Sequence, residues 1–489
     1  MLDRGRCMSQ ADAAAEIELI KSIVGKYFPI YDVKVSADSL TFYVNPDPKT
    51  LEREFGKLRK DLGEKSYISF IEYKSGEHII HVARKPQIRR RGIWVNWVLL
   101  AATFVSTVVA GAYWWASYSG NYRLFDGSNL LWGAVFFAIP LLAILGAHEL
   151  CHYLMSKRHG VEASLPFFIP SIPPLGTFGA FISMRDPMPD RKALVDVGVA
   201  GPIGGLLVTI PVAVLGLFLT SQGHVQQGSI GDAGAIGFIM QPLFEFLTYI
   251  IPIPSGVVMH PMAIAAWVGM FVTAINLLPA GQLDGGHIAR GLLGEKARYL
   301  GYATIGGLFF MSLFYIGWLF FAVLIVFLGL RHPAPLNDIS KLDIKRKAVG
   351  AVALAILVVT FTPIPVMQIS PNYSFEVDVT GSNATAVAPG GVAVFVMMVN
   401  NTGNTDIHMS LTVKNVSNIL TAGLHLSNQS SLNSTNSLDF YLPYGNSTSV
   451  TMEIGVLPSA SAGTRDVGLY AVSDNKYQES TLLFKIQVS

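Results

Sequence analysis

The sequence predicts a polytopic α-helical membrane protein of about seven spans plus a re-entrant β-hairpin, flanked by a small α+β domain and an all-β immunoglobulin-like sandwich. Three observations predict this arrangement. The chain is 51% hydrophobic and has a mean hydropathy of +0.44, which is typical of membrane proteins. Long apolar runs recur between residues 93 and 368. The two ends, residues 1–92 and 369–489, are more polar, so we expect them to form separate soluble domains.

Net charge and cysteine usage exclude several classes of protein. The formal net charge is +2, so a nucleic-acid partner is not expected. The two cysteines, Cys7 and Cys151, are far apart and lie in different settings, which excludes a disulfide framework. The first residues lack the charged-then-apolar pattern of a signal peptide, so we expect membrane insertion to begin at the first span.

Residues 1–92 have the pattern of a small α+β domain. Apolar side chains have helical spacing over residues 13–28, and residues 50–62 predict a charged helix. Short alternating runs around the second helix predict about four strands. Arginines at 89–91 precede the first apolar run, and basic clusters flank spans on the cytoplasmic side. We therefore expect a cytoplasmic domain, and nothing in it indicates catalysis.

The second predicted span, residues 130–154, contains the sequence HELCH near its end. Residues four apart lie on one face of a helix, so His148 and His152 can offer two imidazole nitrogens to one metal ion. Glu149 points about 100° away and is placed to take a proton from water instead. This arrangement is typical of zinc proteases. The alternative is a solvated helix end, but ionisable groups within apolar sequence are costly without a role.

A re-entrant element is predicted between the second and third spans. Residues 164–184 are apolar but dense in proline and glycine, so they cannot form a regular helix. Residues 176–184 have strand character, which predicts a β-hairpin beside the second span; a plain interfacial loop is the alternative. The third span, residues 193–219, contains a Gly-Pro patch at 200–205, where small side chains permit close approach of another helix.

A lone carboxylate follows the fourth predicted span, residues 261–278. Pro279 and Gly281 interrupt the helix, and Asp284 then precedes two glycines. Irregular backbone at membrane depth is tolerated where it is buried in protein or lines a cavity, and an intramembrane carboxylate indicates a functional site. Asp284 is therefore a candidate third metal ligand. Four loop carboxylates compete with it: Glu162, Asp186, Asp190 and Asp196.

The two polar segments together resemble the site-2 protease family of intramembrane zinc metalloproteases. The resemblance rests on HExxH followed by NxxPxxxxDG, in that order, and covers roughly residues 94–330. Cys151 stands where the family often has glycine. The resemblance favours Asp284 over the four loop carboxylates and implies hydrolysis of peptide bonds within or near transmembrane segments.

The resemblance also implies roles for individual residues. His148, His152 and Asp284 would hold Zn²⁺. Glu149 would be the general base, and Asn276 would steady the substrate or the oxyanion. The implied substrates are single-span membrane proteins in a lipid bilayer. Such a protease must bind its substrate extended, and an exposed strand edge can pair with an extended segment. We therefore expect substrate contacts in the hairpin, at Gly176, Thr177, Phe178 and Gly179.

The remaining spans depend on how the chain crosses after residue 300. The apolar stretch 300–330 is predicted to cross twice as a short hairpin that turns near 312–317, and the last predicted span is 348–367. Basic residues precede that last span, which places its start inside. Residues 238–251 predict an amphipathic segment at the membrane interface. With the first span at 93–115, the total is about seven.

The tail, residues 369–489, has short alternating runs that predict about seven strands of an immunoglobulin-like sandwich. No Asn-x-Ser/Thr sequon lies before residue 370, and this clustering indicates that the tail is outside. We therefore expect an integral protein of the plasma membrane with a cytoplasmic N-terminus. The sequons begin at Asn372, Asn383, Asn400, Asn415, Asn428, Asn433 and Asn446.

The function that these features favour is that of an intramembrane zinc metalloprotease. One rival is a catalytically silent membrane protein that recruits partners through its two soluble domains, but every residue of both motifs is present. Another rival is a transporter that uses the same ionisable groups. Internal repeats of the apolar segments would favour a transporter, and the sequence contains none that we recognise.

Overall fold

A computed structural model describes residues 10–36, 39–85, 92–223, 235–254, 257–330, 332–427, 435–474 and 478–489. By their contacts they form two compact units. The first unit holds all the described helices and the strands up to residue 181. The second unit holds the strands from residue 235 onward, and each unit is described by itself below.

The first unit begins with two helices and a four-stranded antiparallel sheet, which we call the N-terminal module. Its sheet has the order β1-β2-β4-β3. Alternate residues of the strands, such as Phe42 and Ile80, pack with Phe55 and Leu58 of the second helix in one apolar cluster. The elements are α1 (Gln10–Gly25), β1 (Ile30–Val35), β2 (Ser39–Val44), α2 (Leu51–Glu64), β3 (Tyr67–Lys74) and β4 (Glu77–Arg84).

Three helical segments of the described chain are long and apolar enough to cross a membrane, which confirms the prediction of an α-helical membrane protein. They are Trp94–Ser119, Gly127–Arg158 and Arg191–Ser221, and they match the first three predicted spans. The second contains a π-helical turn. The elements are α3 (Trp94–Ser119), α4 (Gly127–Gly133), the π-turn (Ala134–Ala138), α5 (Ile139–Arg158) and α6 (Arg191–Ser221).

The later helices are shorter, so the count of about seven spans stays a prediction. Two of them, α8 and α11, are apolar but have 16 and 12 residues, below the roughly 20 that a straight crossing requires. Helices α10 and α11 are separate, with the break where the turn was predicted. The elements are α7 (Pro242–Ile250), α8 (Pro261–Asn276), α9 (Asp284–Leu293), α10 (Ala297–Met311), α11 (Gly317–Leu328) and α12 (Ile344–Thr360).

Two predicted boundaries are wrong. The last predicted span, 348–367, ends early, because α12 stops at Thr360 and a strand begins at Val366. Pro363 and Pro365 lie between them, and proline cannot continue a helix. The amphipathic segment predicted over 238–251 is helical only from Pro242, since Phe238 belongs to a strand.

The predicted hairpin between the second and third spans is present. It consists of β5 (Phe167–Pro170) and β6 (Thr177–Phe181), which pair antiparallel. Three side chains spread along α3 donate hydrogen bonds to carbonyl oxygens of the hairpin and fix it against that helix. These bonds are Asn96 Nδ2 to Leu165 (2.9 Å), Ser106 Oγ to Gly176 (2.6 Å) and Trp114 Nε1 to Pro174 (2.8 Å).

The second unit confirms the prediction of an all-β C-terminal region. Its sandwich has a five-stranded sheet of order β10-β17-β16-β12-β14 and a four-stranded sheet of order β13-β15-β11-β9, so the described residues form nine strands where about seven were predicted. A separate pair, β7 and β8, is antiparallel. The strands are β7 (Ala235–Phe238), β8 (Val366–Ile369), β9 (Phe375–Thr380), β10 (Ala384–Val387), β11 (Val392–Asn401), β12 (Ile407–Lys414), β13 (Leu420–Leu426), β14 (Ser437–Leu442), β15 (Ser447–Val456), β16 (Gly463–Ser473) and β17 (Gln478–Val488).

The sandwich core explains which strands the sequence could predict. Strand β11 alternates strictly between buried and exposed residues, and Phe395 and Met397 point into the core against β17 residues such as Phe484. Strand β10 has only four residues, and β13 buries three consecutive residues, so neither shows a clear period of two. The predicted sequons at 428 and 433 lie outside the described residues.

Candidate metal centre

The three predicted ligands converge from two helices that are far apart in sequence. His148 and His152 lie one turn apart on α5, and Asp284 is the first residue of α9. The two imidazole Nε2 atoms are 3.1 Å apart, and Asp284 Oδ2 lies 3.1 Å from that of His148 and 3.2 Å from that of His152. The side chains of both histidines are about 95% buried. This is the one group of three or more His, Cys, Asp or Glu side chains, among the described residues, that could hold a metal.

The spacing of these atoms fits a tetrahedral zinc ion. Bonds of about 2.0–2.1 Å at tetrahedral angles place neighbouring ligand atoms about 3.3 Å apart. The three observed separations are 3.1–3.2 Å. Two nitrogens and one oxygen leave a fourth position open, as in catalytic rather than structural zinc sites. The three predicted ligands therefore lie close enough together to hold a metal ion, and their role as zinc ligands stays a prediction.

The backbone of α6 fixes the orientation of His152. Its Nδ1 lies 2.8 Å from the carbonyl oxygen of Val197, which can only accept, so Nδ1 carries the proton and Nε2 is left for a metal. The close approach of the two imidazoles to α6 requires glycine on that helix. A Cβ at Gly201 would lie 2.0 Å from His152 Nε2, and one at Gly205 would lie 3.2 Å from His148. The Gly-Pro patch thus provides the space in which the two imidazoles lie.

Glycines also place Asp284. The chain turns sharply between α8 and α9, and a Cβ at Gly285 would lie 2.0 Å from the carbonyl oxygen of Leu277. A Cβ at Gly286 would lie 2.4 Å from the carbonyl oxygen of Gly281. The two glycines after the carboxylate therefore let α9 begin directly against the end of α8.

Glu149 is buried next to the two histidines and is 6% exposed. The backbone of Ile182 lies close enough to interact electrostatically with its carboxylate. Ile182 directly follows strand β6, so the hairpin contacts the predicted general base through its main chain. Asn276 closes the other side of the site, with Nδ2 3.4 Å from His148 Nε2.

The structure places the four competing carboxylates away from this cluster. Asp196 pairs with Arg346 and with His159, so both its oxygens are occupied. Asp186 pairs with Lys85 at 2.6 Å. Asp190 caps α6 by accepting from the backbone N–H of Ala193, and Glu162 is not part of the metal cluster.

The predicted substrate-contact residues lie on the turn and strand of the hairpin. Thr177 and Gly179 are buried, whereas Phe178 is 70% exposed. Thr177 Oγ1 donates to the carbonyl oxygen of Ile169 and accepts from the backbone N–H of Gly179, so it stabilises the hairpin itself. Gly176 has a φ of +75° and lies against α3. The two-stranded sheet leaves one edge of β6 without a strand partner in the described chain.

One feature near the site was not predicted. His287 Nδ1 lies 2.6 Å from His332 Nε2, and His332 Nδ1 donates to the carbonyl oxygen of Pro333. His332 Nε2 therefore accepts from His287. The two histidines are 45 residues apart, so no local spacing indicates the pair.

Comparison with known proteins supports the resemblance. Residues 136–316 match the family model described as peptidase family M50, the site-2 protease family. The matched segment includes the cluster, Glu149 and Asn276. The resemblance that the two motifs indicated is therefore confirmed for this part of the chain.

Curated relatives cover the same part of the chain. The probable zinc metalloprotease EGY1, chloroplastic, of Arabidopsis thaliana is 34% identical over 255 residues, which are 48% of this chain and 45% of that protein. Its Oryza sativa subsp. japonica counterpart is 33% identical, over 46% of this chain and 40% of that protein. The probable zinc metalloprotease EGY2, chloroplastic, of Arabidopsis thaliana is 31% identical, over 49% of this chain and 44% of that protein. The chain thus spans less than half the length of these relatives.

Proposed function

We propose that this protein is an intramembrane zinc metalloprotease that hydrolyses peptide bonds within or near the transmembrane segments of other proteins. One observation carries the proposal: two imidazoles, one carboxylate and a neighbouring glutamate lie together among apolar helices. The match to peptidase family M50 and the zinc metalloprotease relatives support it. His148, His152 and Asp284 would hold the zinc ion.

Zn²⁺, when bound here, would lower the pKa of a coordinated water to about 7 and polarise the scissile carbonyl. Glu149 is then the general base: its carboxylate, one residue along the helix from His148, takes a proton from water as the water attacks the carbonyl carbon. The same carboxyl group can then deliver that proton to the leaving amine nitrogen. Burial of Glu149 excludes bulk water from this transfer.

Asn276 is proposed to stabilise the charge that develops on the substrate. Its side-chain amide lies at the end of α8, 3.4 Å from His148 Nε2, so an N–H group faces the region of the ligands. A neutral donor of this kind can hydrogen-bond a developing oxyanion without holding a charge of its own. Loss of one such donor typically costs about 10²–10³-fold in the rate of the chemical step.

We propose that the substrate binds as an extended strand along β6. A helical substrate hides its scissile carbonyl in backbone hydrogen bonds, and pairing with a strand edge exposes and orients it. The backbone of Ile182, immediately beyond this strand, lies next to the Glu149 carboxylate, so a segment paired with β6 would extend towards the general base. Gly176, Thr177, Phe178 and Gly179 would form the contact surface.

The substrate class and the orientation in the bilayer belong to the same proposal. Single-span membrane proteins are the substrates that the family resemblance implies. The basic residues before the first span and the sequons of the tail support a cytoplasmic N-terminus and an external C-terminal domain in the plasma membrane. The named relatives are chloroplastic, so the membrane assignment rests on this chain's own sequence.

The proposal is tested with purified full-length protein, by measuring bound zinc and cleavage of a single-span model substrate. Wild type should hold one zinc per chain and cleave. Glu149→Gln keeps the ligands but removes the base, so we expect zinc to be retained and cleavage to fall about 10³-fold. Asp284→Ala removes a ligand, so most of the zinc should be lost with the activity.

Glu295→Gln is the matched control, because Glu295 is an exposed carboxylate that lies outside the metal cluster. It should retain both zinc and cleavage. An Asp284→Ala protein that keeps both would overturn the ligand assignment. A wild type that binds no zinc would instead favour the silent binding protein.

A further inference from the structure

We propose that residues 336–340, which we call the strap, position the metal ligand Asp284 and are themselves held by the N-terminal module. The inference rests on the proposed zinc site. The strap lies between β3 of the N-terminal module and the residues that precede α6. It also forms an ion pair with α9, the helix that begins with Asp284.

The strap extends the sheet of the N-terminal module by main-chain contacts. The backbone N–H of Ile71 in β3 donates to the carbonyl oxygen of Leu336 at 2.8 Å, and the N–H of Asp338 lies 3.4 Å from the carbonyl oxygen of Ile71. Ile71 and Asn337 pair as a parallel bridge. Ile339 packs against the apolar cluster of the module. The strap thus pairs with the edge strand β3 of the module's sheet through a parallel bridge at Asn337.

The opposite edge of the strap binds the segment before α6. The N–H of Leu336 donates to the carbonyl oxygen of Met188 at 2.8 Å, and the N–H of Asn337 donates to that of Pro189 at 3.0 Å. The strap residues Asn337 and Ser340 are 4% and 3% exposed. Hydrogen bonds on both edges and burial of the strap indicate a fixed position rather than a surface loop.

An ion pair links the strap to the helix of the metal ligand. Arg290 Nη2 donates to Asp338 Oδ2 at 2.7 Å, and Arg290 lies on α9, six residues after Asp284. Arg290 is 6% exposed, and Asp338 is the carboxylate that pairs with its buried guanidinium. A buried guanidinium that loses its partner is left uncompensated, which is strongly unfavourable. The pair therefore determines where the end of α9 lies.

The packing around α9 increases the contribution of the Arg290–Asp338 pair to the position of this helix. A cavity of about 250 Å³ borders Pro279, Gly286, Arg290 and His332, so α9 lacks close packing on that side. Tight packing would otherwise fix the helix. Because α9 has only 10 residues, a shift at Arg290 moves Asp284 as well. The strap acts on the metal site through the position of this short helix.

The test compares the zinc affinity of full-length variants in competition with a chelator. Asp338→Asn removes the charge but keeps the size of the side chain, and we expect zinc to bind roughly tenfold more weakly, as for other residues that support metal ligands. Asp338→Glu, which keeps the charge, should restore most of the affinity. Thermal unfolding with and without zinc is the second measurement. A purely structural role lowers both midpoints equally, whereas a positioning role reduces the zinc-induced increase.

A second variant tests whether the N-terminal module holds the strap in place. Phe55 is 1% exposed in the core of the module and is not a member of the strap ion pair, so Phe55→Ala loosens the module from within. If the module holds the strap, Phe55→Ala weakens zinc binding. The double variant with Phe55→Ala and Asp338→Asn should then bind zinc no more weakly than the weaker-binding of the two single variants. Glu52→Gln, which breaks only the half-exposed contact with Lys192, is the control and should bind zinc like wild type.

The outcomes separate this inference from the proposed function. If wild type and Asp338→Asn bind zinc equally well, the strap has no positioning role although the zinc site is correct. If zinc binding is weakened in Asp338→Asn but not in Phe55→Ala, the proposal that the module holds the strap is wrong. If wild type binds no zinc, the proposed function fails and the inference fails with it.

Discussion

At the scale of single residues, the metal site depends on the glycines of α6, which have no Cβ, as much as on its ligands. The side of α6 that faces the two histidines carries hydrogen atoms where other residues carry a Cβ. Gly201 is the closest case, with its Cβ position 2.0 Å from His152 Nε2. The metal-binding geometry of α5 is therefore determined partly by the sequence of α6.

Gly201→Ala should accordingly damage the metal site without touching a ligand. The added methyl group occupies the place of the imidazole, so His152 must rotate away and the Val197 contact is lost. We expect zinc affinity to fall at least about tenfold, measured by chelator competition. Gly306→Ala is the control, since a Cβ there meets nothing within 4 Å. Equal zinc affinity in the two variants would contradict the argument.

Some residue positions of the site follow from sequence and others do not. His148 and His152 follow from helical spacing, because residues four apart share a face. Asp284 can be predicted as a ligand only when its motif is considered together with HExxH, because 132 residues separate it from His152. The Ile182 contact with Glu149 and the Arg290–Asp338 pair come from tertiary packing. No periodicity in one chain indicates which distant residues meet.

At the scale of elements, the hairpin β5–β6 depends on its turn. Gly176 has a φ of +75°, where glycine is favoured, and its Cβ position lies 2.5 Å from the carbonyl oxygen of Ser106 on α3. The hairpin therefore contacts α3 through a residue without a side chain. Its other end contacts Glu149 through Ile182.

Gly176→Ala should reduce cleavage while zinc binding stays normal. The methyl group pushes the turn away from α3, and β6, the proposed substrate-binding strand, moves with it. We expect at least a tenfold loss of cleavage of a single-span substrate, since misplaced substrate contacts commonly cost up to about 10²-fold. Gly160→Ala controls for backbone strain, because Gly160 has a φ of +70° but no atom within 4 Å of its Cβ position. Similar cleavage by the two variants would refute the role of the turn.

The elements also show where sequence patterns suffice. Helices α3 and α6 lie where long apolar runs predicted them, because a run of this length has few other stable structures. The end of α12 is indicated by Pro363 and Pro365 rather than by hydropathy, because the apolar run continues past the residues where proline stops the helix. The hairpin was predictable from its prolines and glycines, which exclude a helix.

At the scale of the whole molecule, the chain contains two compact units with separate cores. The zinc cluster lies entirely in the first unit, and the apolar core of the sandwich lies entirely in the second. We therefore expect mutations in the sandwich core to leave the metal site intact.

Phe484→Ala tests this separation. Phe484 is fully buried and packs against Phe395, so its truncation should cost about 3–5 kcal/mol of sandwich stability. Thermal unfolding should show a lowered sandwich transition, and zinc content should equal that of wild type. Leu483→Ala is the control, because Leu483 is 56% exposed and should change stability by less than about 0.5 kcal/mol. Loss of zinc from Phe484→Ala would indicate coupling between the units.

The number of membrane crossings is the property of the whole molecule that sequence determines least. Helices such as α10 and α11 have 15 and 12 residues, shorter than a straight crossing needs. Whether such a pair crosses depends on local bilayer thickness and on neighbouring helices. These are properties of the assembly in the membrane and not of the apolar run.

The proposed binding of an extended substrate along β6 has a consequence for cleavage specificity. Successive side chains of an extended segment point to opposite faces, so neighbouring side chains of a paired substrate would point in opposite directions. The proposed protease would then contact every second side chain of its substrate. Scanning a substrate with bulky substitutions should give a sawtooth profile in which sensitive and tolerant positions alternate. A one-residue insertion before the cut would exchange the two classes.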